Sequence, residues 1–135
     1  MVCGGAGLLA AGCGGGMAGW ETRAVEPHSG VVELDTGDYP ELVTPGGMVA
    51  VRPVGMRKPV LVMRLEHDQV RVLSLECPHL GCVVRWDNES QVLRCPCHGS
   101  RFDDTGRALE GPARSSLPEL ESQVFGTFVR FRVPS

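Results

Sequence analysis

Cys77-Pro78-His79-Leu80-Gly81-Cys82 and, after twelve intervening residues, Cys95-Pro96-Cys97-His98-Gly99-Ser100 are the two runs on which the reading of this chain turns. They gather four of the six cysteines and two of the four histidines into 24 of 135 residues. Thiols and imidazoles crowded in this way form a donor set for metal. Taken as ligands they fall into two pairs, Cys77-x-His79 and Cys95-x-x-His98, separated by fifteen residues. Each of two loops then delivers one sulfur and one nitrogen.

Two kinds of centre accept that set. A structural zinc would take all four donors in one tetrahedron. A mixed-ligand 2Fe-2S cluster would divide them, both cysteines on one iron and both histidines on the other, at a higher potential than an all-cysteine cluster. The donor count alone does not choose. The surplus Cys82 and Cys97 favour the cluster, because zinc has no use for them whereas a disulfide could tie one loop to the other. Closing a loop of that length would stabilise the fold by about 3 kcal/mol in the chain-entropy description.

At this point the chain resembles the Rieske 2Fe-2S proteins, in the high-potential, disulfide-bearing branch found in cytochrome bc and bf complexes. The residues that carry the resemblance are Cys77, His79, Leu80, Gly81, Cys82, Cys95, Pro96, Cys97, His98, Gly99 and Ser100. It is strong over residues 75 to about 120, where Gly111-Pro112-Ala113 is similar to the family's third loop, a proline-containing segment covering the cluster.

The resemblance implies that Cys77 and Cys95 bind the buried iron of a Rieske-type 2Fe-2S cluster, that His79 and His98 bind the outer one, and that Cys82 and Cys97 form the bridge. The free nitrogens of both histidines would point to solvent, where an electron donor docks and a proton leaves. Oxidation adds positive charge beside the imidazole and lowers its pKa, so electron and proton affinity are coupled. Ser100 corresponds to a serine that donates a hydrogen bond to a bridging sulfide, which raises the potential. Two residues further on, the high-potential members usually carry tyrosine. Here Phe102 stands instead and has no donor, which predicts a potential below the top of the range of about −150 to +300 mV and a lower-potential donor such as menaquinol. Leu80 corresponds to an apolar docking-surface residue, and simple shielding of the cluster explains it equally well. Gly81, Gly99, Gly111 and Pro112 would shape the loops around the cluster.

The rest of the composition is consistent with an all-β domain. Eighteen glycines and ten prolines point to short strands and turns. A net charge of −3 with no basic stripe argues against a nucleic-acid partner. The expected architecture is a Rieske-type antiparallel β-sandwich base over residues 31–134, with an inserted cluster-binding β-subdomain at about 76–115. Val31 to Leu34, Met48 to Val51, Val60 to Leu65 and Val70 to Leu75 read as strands, with a turn at Thr44-Pro45-Gly46-Gly47. Val83 to Trp86 and Gln91 to Arg94 flank a turn at Asp87-Asn88-Glu89-Ser90, so both ligand loops leave strand ends on one side. Phe102 to Gly106 reads as a turn, Arg107 to Leu109 as a strand, and Val124 to Val133 as strand broken near Gly126. His28 and His67 read as solvated surface, Trp86 as cover for a small core, and Glu119 and Glu121 as a solvated edge.

Residues 1–20 contain eight glycines and no charged side chain, too little apolar content for an ordinary spanning helix. Leu9-Ala10-Ala11-Gly12-Cys13 resembles a bacterial lipobox in which Cys13 would be acylated, with alanine where leucine is usual. The twelve residues before Cys13 fall short of a secretory signal, so the expectation is an upstream start with a basic or twin-arginine segment. Residues 1–30 then form an anchor and flexible glycine-rich tether. A Cys82–Cys97 bridge requires an oxidising compartment, which for a bacterial chain is the extracytoplasmic side of the cytoplasmic membrane.

The leading function is an electron-transfer protein, the iron-sulfur subunit of a quinol:cytochrome c or similar acceptor oxidoreductase, with a cytochrome b-type membrane subunit as partner and quinol at the His79/His98 face. Catalysis would belong to the complex. The alternative is a ferredoxin-like Rieske carrier or a small subunit of an oxygenase or an arsenite oxidase-like enzyme. Such soluble carriers generally lack counterparts of Cys82, Cys97 and the Gly99-Ser100 pair. A zinc-stabilised binding module is the third reading.

Overall fold

The computed structural model describes residues 22–78 and 81–134. The lipobox with Cys13, and also His79 and Leu80, lie outside the described residues. The strands in chain order are β1 (Arg23–Val25), β2 (Val31–Asp35), β3 (Met48–Pro53), β4 (Val60–Arg64), β5 (Val70–Ser74), β6 (Arg85–Asp87), β7 (Val92–Arg94), β8 (Arg101–Phe102), β9 (Ala108–Glu110), β10 (Glu119–Leu120), β11 (Ser122–Phe125) and β12 (Phe128–Arg132). A single 3-10 turn, Pro40–Leu42, interrupts this all-β pattern among the described residues. The chain divides into two compact units, one built from Thr22–Glu76 with Leu117–Ser135, the other containing Cys77–Ser116.

The first unit packs two sheets face to face. One has the order β1-β3-β4-β5-β10 and the other β11-β12-β2. Alternation fixes which side chains meet, because successive residues of a strand point to opposite faces. In β2, Val32 and Leu34 are buried while Glu33 between them is exposed. In β12, Val129 and Phe131 turn inward, and Arg130 pairs outward with Glu33 at 2.7 Å. From the other sheet come Val51, Val60, Val62, Val72 and Leu120, with Tyr39 and Leu42 completing the core. Each fully buried Val, Leu or Phe contributes about 1.5–3 kcal/mol of transfer free energy.

Of the segment expected as a tether up to Gly30, residues 22–30 are described and belong to this unit. Arg23–Val25 is an edge strand paired in parallel with β3, and Val54 N–H donates to the Val25 carbonyl at 2.8 Å. The Arg23 guanidinium sits 4.2 Å from the Tyr39 ring centroid and donates to the Asp38 carbonyl at 3.1 Å. His28 and Val31 then exchange backbone hydrogen bonds around Ser29-Gly30, both of positive φ, as a tight turn into β2. A three-residue edge strand has too few positions to show an alternation, so tertiary pairing decides it.

The second unit is an antiparallel sheet of order β6-β7-β8-β9. Trp86 is opposite Leu93, and Leu93 opposite Phe102, so the three share one face. Leu93, Phe102 and nearby Val84 are fully buried. Two boundaries differ from expectation. Asp87, expected in the turn, ends β6 and is buried; its carboxylate accepts from Glu89 N–H at 3.0 Å, Ser90 Oγ at 2.9 Å and Arg94 at 3.3 Å. Phe102, also expected in a turn, belongs to β8, and Asp103 performs the turning: its Oδ1 accepts from the Thr105 and Arg107 amides and the Thr105 hydroxyl. Aspartate closing a turn on its own following backbone is the usual reason for such a shift.

Gly47 anchors the loop before β3. A Cβ there would run into the Glu41 carbonyl, whereas Gly46 needs glycine only for its φ of 92°. Gly46→Ala should therefore lose roughly 1 kcal/mol of stability, the price of a left-handed backbone. Gly47→Ala should lose about 3 kcal/mol through overpacking. Urea unfolding of the two variants checks the order; equal losses would contradict it.

Candidate metal centre

The two cysteine-rich runs fold as the same local structure twice. Cys77 N–H donates to the Cys82 carbonyl at 2.8 Å and Gly81 N–H to the Cys77 carbonyl at 2.8 Å. In the second run Cys95 N–H donates to the Ser100 carbonyl at 2.8 Å and Gly99 N–H to the Cys95 carbonyl at 2.9 Å. The fifth position of each loop has φ of 76° or 82°, a left-handed conformation in which glycine is free of the Cβ penalty. A sequence of the form Cys-Pro-x-x-Gly-x thus closes a six-residue loop and turns its first side chain inward. Cys77 and Cys95 are the inward pair, each 2% exposed and each a free thiol.

The side chains at the other positions decide how the loops are held. Cys82 is half-buried, Cys97 is exposed, and their sulfurs form a disulfide across 15 residues of sequence with the Cα atoms 6.4 Å apart. The bridge removes both from ligation, although their Sγ atoms and that of Cys95 all lie within 4.8 Å of one another. His98, third residue after Cys95, is exposed. Ser100 is fully buried. Its Oγ accepts the Ala113 N–H at 3.0 Å.

Burial pushes the Cys95 thiol up from its ordinary pKa, and its hydrogen bond with Cys77 pushes the same way. The Cys97 and His98 amides act against this by donating to the Cys95 sulfur. The site therefore disfavours a bare thiolate while holding donors aimed at one. A metal in place of the proton resolves that conflict, because ligation deprotonates a thiol outright. Two buried thiols side by side, amides directed at sulfur and a buried hydroxyl with a proton to give suit a sulfide-bearing cluster.

The third loop, Gly111-Pro112-Ala113, meets the second through its backbone. Gly111 and Pro112, joined by a cis peptide bond, are both exposed, and the group that reaches Ser100 is the backbone amide of Ala113. A backbone donor carries no side-chain signature, so sequence reasoning singled out its neighbours. Phe102, two residues after the second loop, is fully buried in β8 and its side chain brings no hydrogen-bond donor. His28 and His67 are exposed in the other unit. Trp86 is half-buried, with its indole N–H on Asn88 at 3.0 Å.

A sequence profile described as Rieske [2Fe-2S] domain matches residues 35–121. A cytochrome b6-f complex iron-sulfur subunit of Synechococcus sp. (strain JA-3-3Ab) is 44% identical over 59 residues, covering 44% of this chain and 34% of that protein. The chain thus matches about a third of the length of that curated relative. Among solved structures, the plasma membrane Rieske protein PetC3 from Synechocystis PCC 6803 aligns with a TM-score of 0.52 and 28% identity, over 77% of this chain and 87% of that one. A hyperthermophilic respiratory Complex III chain aligns at 0.53 with 25% identity, over 72% and 71%.

Two measurements test the loops. Cys97→Ser should lower stability by about 3 kcal/mol, read as a fall in the thermal midpoint under non-reducing conditions. The Ser90 hydroxyl foremost, with the Glu89 amide and Arg94, holds the Asp87 carboxyl below its ordinary 3.8 against burial, which pushes the other way. A depressed carboxylate stabilises the fold above its unfolded pKa and stops doing so as pH falls through the folded value. Asp87→Asn should therefore be less stable than the parent at pH 7 and approach it as pH drops below 3.8; a difference independent of pH would contradict this.

Proposed function

The chain belongs to the Rieske [2Fe-2S] domain family, and we propose that it serves as the iron-sulfur subunit of a quinol:acceptor oxidoreductase. Its cofactor is a Rieske-type 2Fe-2S cluster. In this reading Cys77 and Cys95 hold one iron and His79 and His98 the other. The cluster supplies one-electron transfer, and the remaining work falls to the chain. The observation that carries the reading is the pair of buried, unbridged thiols at equivalent positions of two loops joined by the Cys82–Cys97 bond.

The protein's own groups set the conditions for that transfer. Cys77, Cys95, Val84, Leu93 and Phe102 are buried, which keeps water from the sulfur end. The Cys97 and His98 amides and the Ser100 hydroxyl offer hydrogen bonds to negative sulfur, and such bonds favour the reduced state. Exposed His98 presents an imidazole to a partner. A quinol gives up an electron and a proton together; the cluster would take the electron, and an imidazole whose proton affinity depends on the charge beside it would take the proton. Phe102 adds no donor at sulfur, which favours menaquinol over a higher-potential quinol.

The Cys82–Cys97 bridge supports placement on the extracytoplasmic side of a membrane. Among the described residues no helix is long and apolar enough to cross a membrane, so the proposed anchor falls to the leader, including Cys13. The cytochrome b-type partner is proposed from the b6-f subunit likeness.

Affinity purification from native membranes should bring down a b-type haem subunit; a molybdenum subunit or an oxygenase in its place would overturn the quinol reading. Ser100→Ala should lower the midpoint by on the order of 65–130 mV, the equivalent of one hydrogen bond to a charged acceptor in a one-electron couple. Phe102→Tyr should raise it. Potentiometric titration followed by EPR reads both, and unchanged midpoints would remove these residues from any role in tuning.

A further inference from the structure

The bond that ties the loops has a third sulfur beside it. The Sγ atoms of Cys82, Cys95 and Cys97 lie within 4.8 Å of one another, and Cys95 alone of the three is a free thiol. Thiol–disulfide exchange requires a sulfur nucleophile within reach of a disulfide sulfur, and access for the sulfur that leaves. Reach is given by the 4.8 Å separation and an exit by exposed Cys97 and half-buried Cys82; the burial of Cys95, which disfavours its thiolate, makes the exchange slow without removing either condition.

We propose that Cys95 is a resident nucleophile for the Cys82–Cys97 bridge, held inactive by metal ligation, so that a chain that loses its cluster rearranges its own disulfide. The inference rests on the assignment of Cys95 as a ligand above. In the step, the Cys95 sulfur attacks one bridging sulfur as thiolate. A new S–S bond forms from Cys95, the original S–S bond breaks, and the proton given up by Cys95 passes through solvent to the sulfur that leaves. Cys95 is oxidised and Cys82 or Cys97 is reduced by the same amount, so no external oxidant or reductant enters.

The product differs from the starting chain in one functional respect. Cys95 is now in a disulfide and cannot bind iron. Cluster loss would thereby become self-locking: iron and sulfide alone would not restore the centre, whereas iron and sulfide with a thiol reductant would. In the loaded protein the same sulfur is occupied and the bridge persists.

The experiment uses the full chain carrying Cys3→Ser and Cys13→Ser, which removes the other thiols of the sequence. Iron is withdrawn from the loaded protein by a chelator under argon without reductant. Samples are quenched with N-ethylmaleimide over roughly minutes to hours, the range of uncatalysed disulfide rearrangement. Cleavage after Arg71, Arg85, Arg94 and Arg101 separates the loops for peptide mapping. The expected result is loss of alkylation at Cys95 and its gain at Cys82 or Cys97, with total alkylation constant and no change in the loaded protein. Alkylation that stays on Cys77 and Cys95 after chelation overturns the proposal, as does equal rearrangement in Cys95→Ser. Should Cys95→Ser fail to fold, Cys77→Ser decides, since it retains Cys95 without the full ligand set: rearrangement without chelator supports the proposal and an intact native bridge overturns it. Failure of the ligand assignment is read separately, as a Cys95→Ser protein that keeps the EPR signal of the cluster.

Discussion

Two six-residue loops must each turn one cysteine inward and stay beside the other, and the rest of the cluster-binding unit follows from that requirement. Neither loop has enough residues to form a core. Each is closed by two backbone hydrogen bonds and a glycine of positive φ, and the pair is held by one covalent bond. Removing the bond would return the loop-closure entropy to the unfolded chain and leave two short hairpins with little apolar area between them. Strands β6 to β9 are two or three residues long, so their pairing alone is a weak constraint on where the loops point.

The polar groups around the inward cysteines make sense only with respect to sulfur. An amide directed at a thiol gains little, and a hydroxyl buried with an unused proton is unfavourable. Placed against anionic sulfur, both become stabilising. The Ala113 amide completes this arrangement by donating to the Ser100 oxygen at 3.0 Å, which leaves the hydroxyl proton for another acceptor. Stability of the empty site and affinity for the cluster are thus opposed at the same few atoms.

How much of this was legible in the sequence depended on the kind of signal. The donor pairs and the extra cysteines are side-chain chemistry at fixed spacing, and the resemblance built on them gave the disulfide. The buried alternations of β2 and β12 were readable because they extend over five residues each. What escaped were features made by backbone: the edge pairing of Arg23–Val25, the Ala113 amide, and the bounds of β6 and β8, where Asp87 and Asp103 close turns with their carboxylates. Such features depend on what lies opposite in space, and a single chain read in order does not display it.

The docking of β1 also bears on reach. Residues 22–30 are spent on the first unit: three in register with β3, the others leading through the Ser29-Gly30 turn into β2. Fully extended, those nine residues would have added roughly 30 Å of slack to a leash. With them committed, that length is part of the folded unit and gives no slack to whatever precedes Thr22.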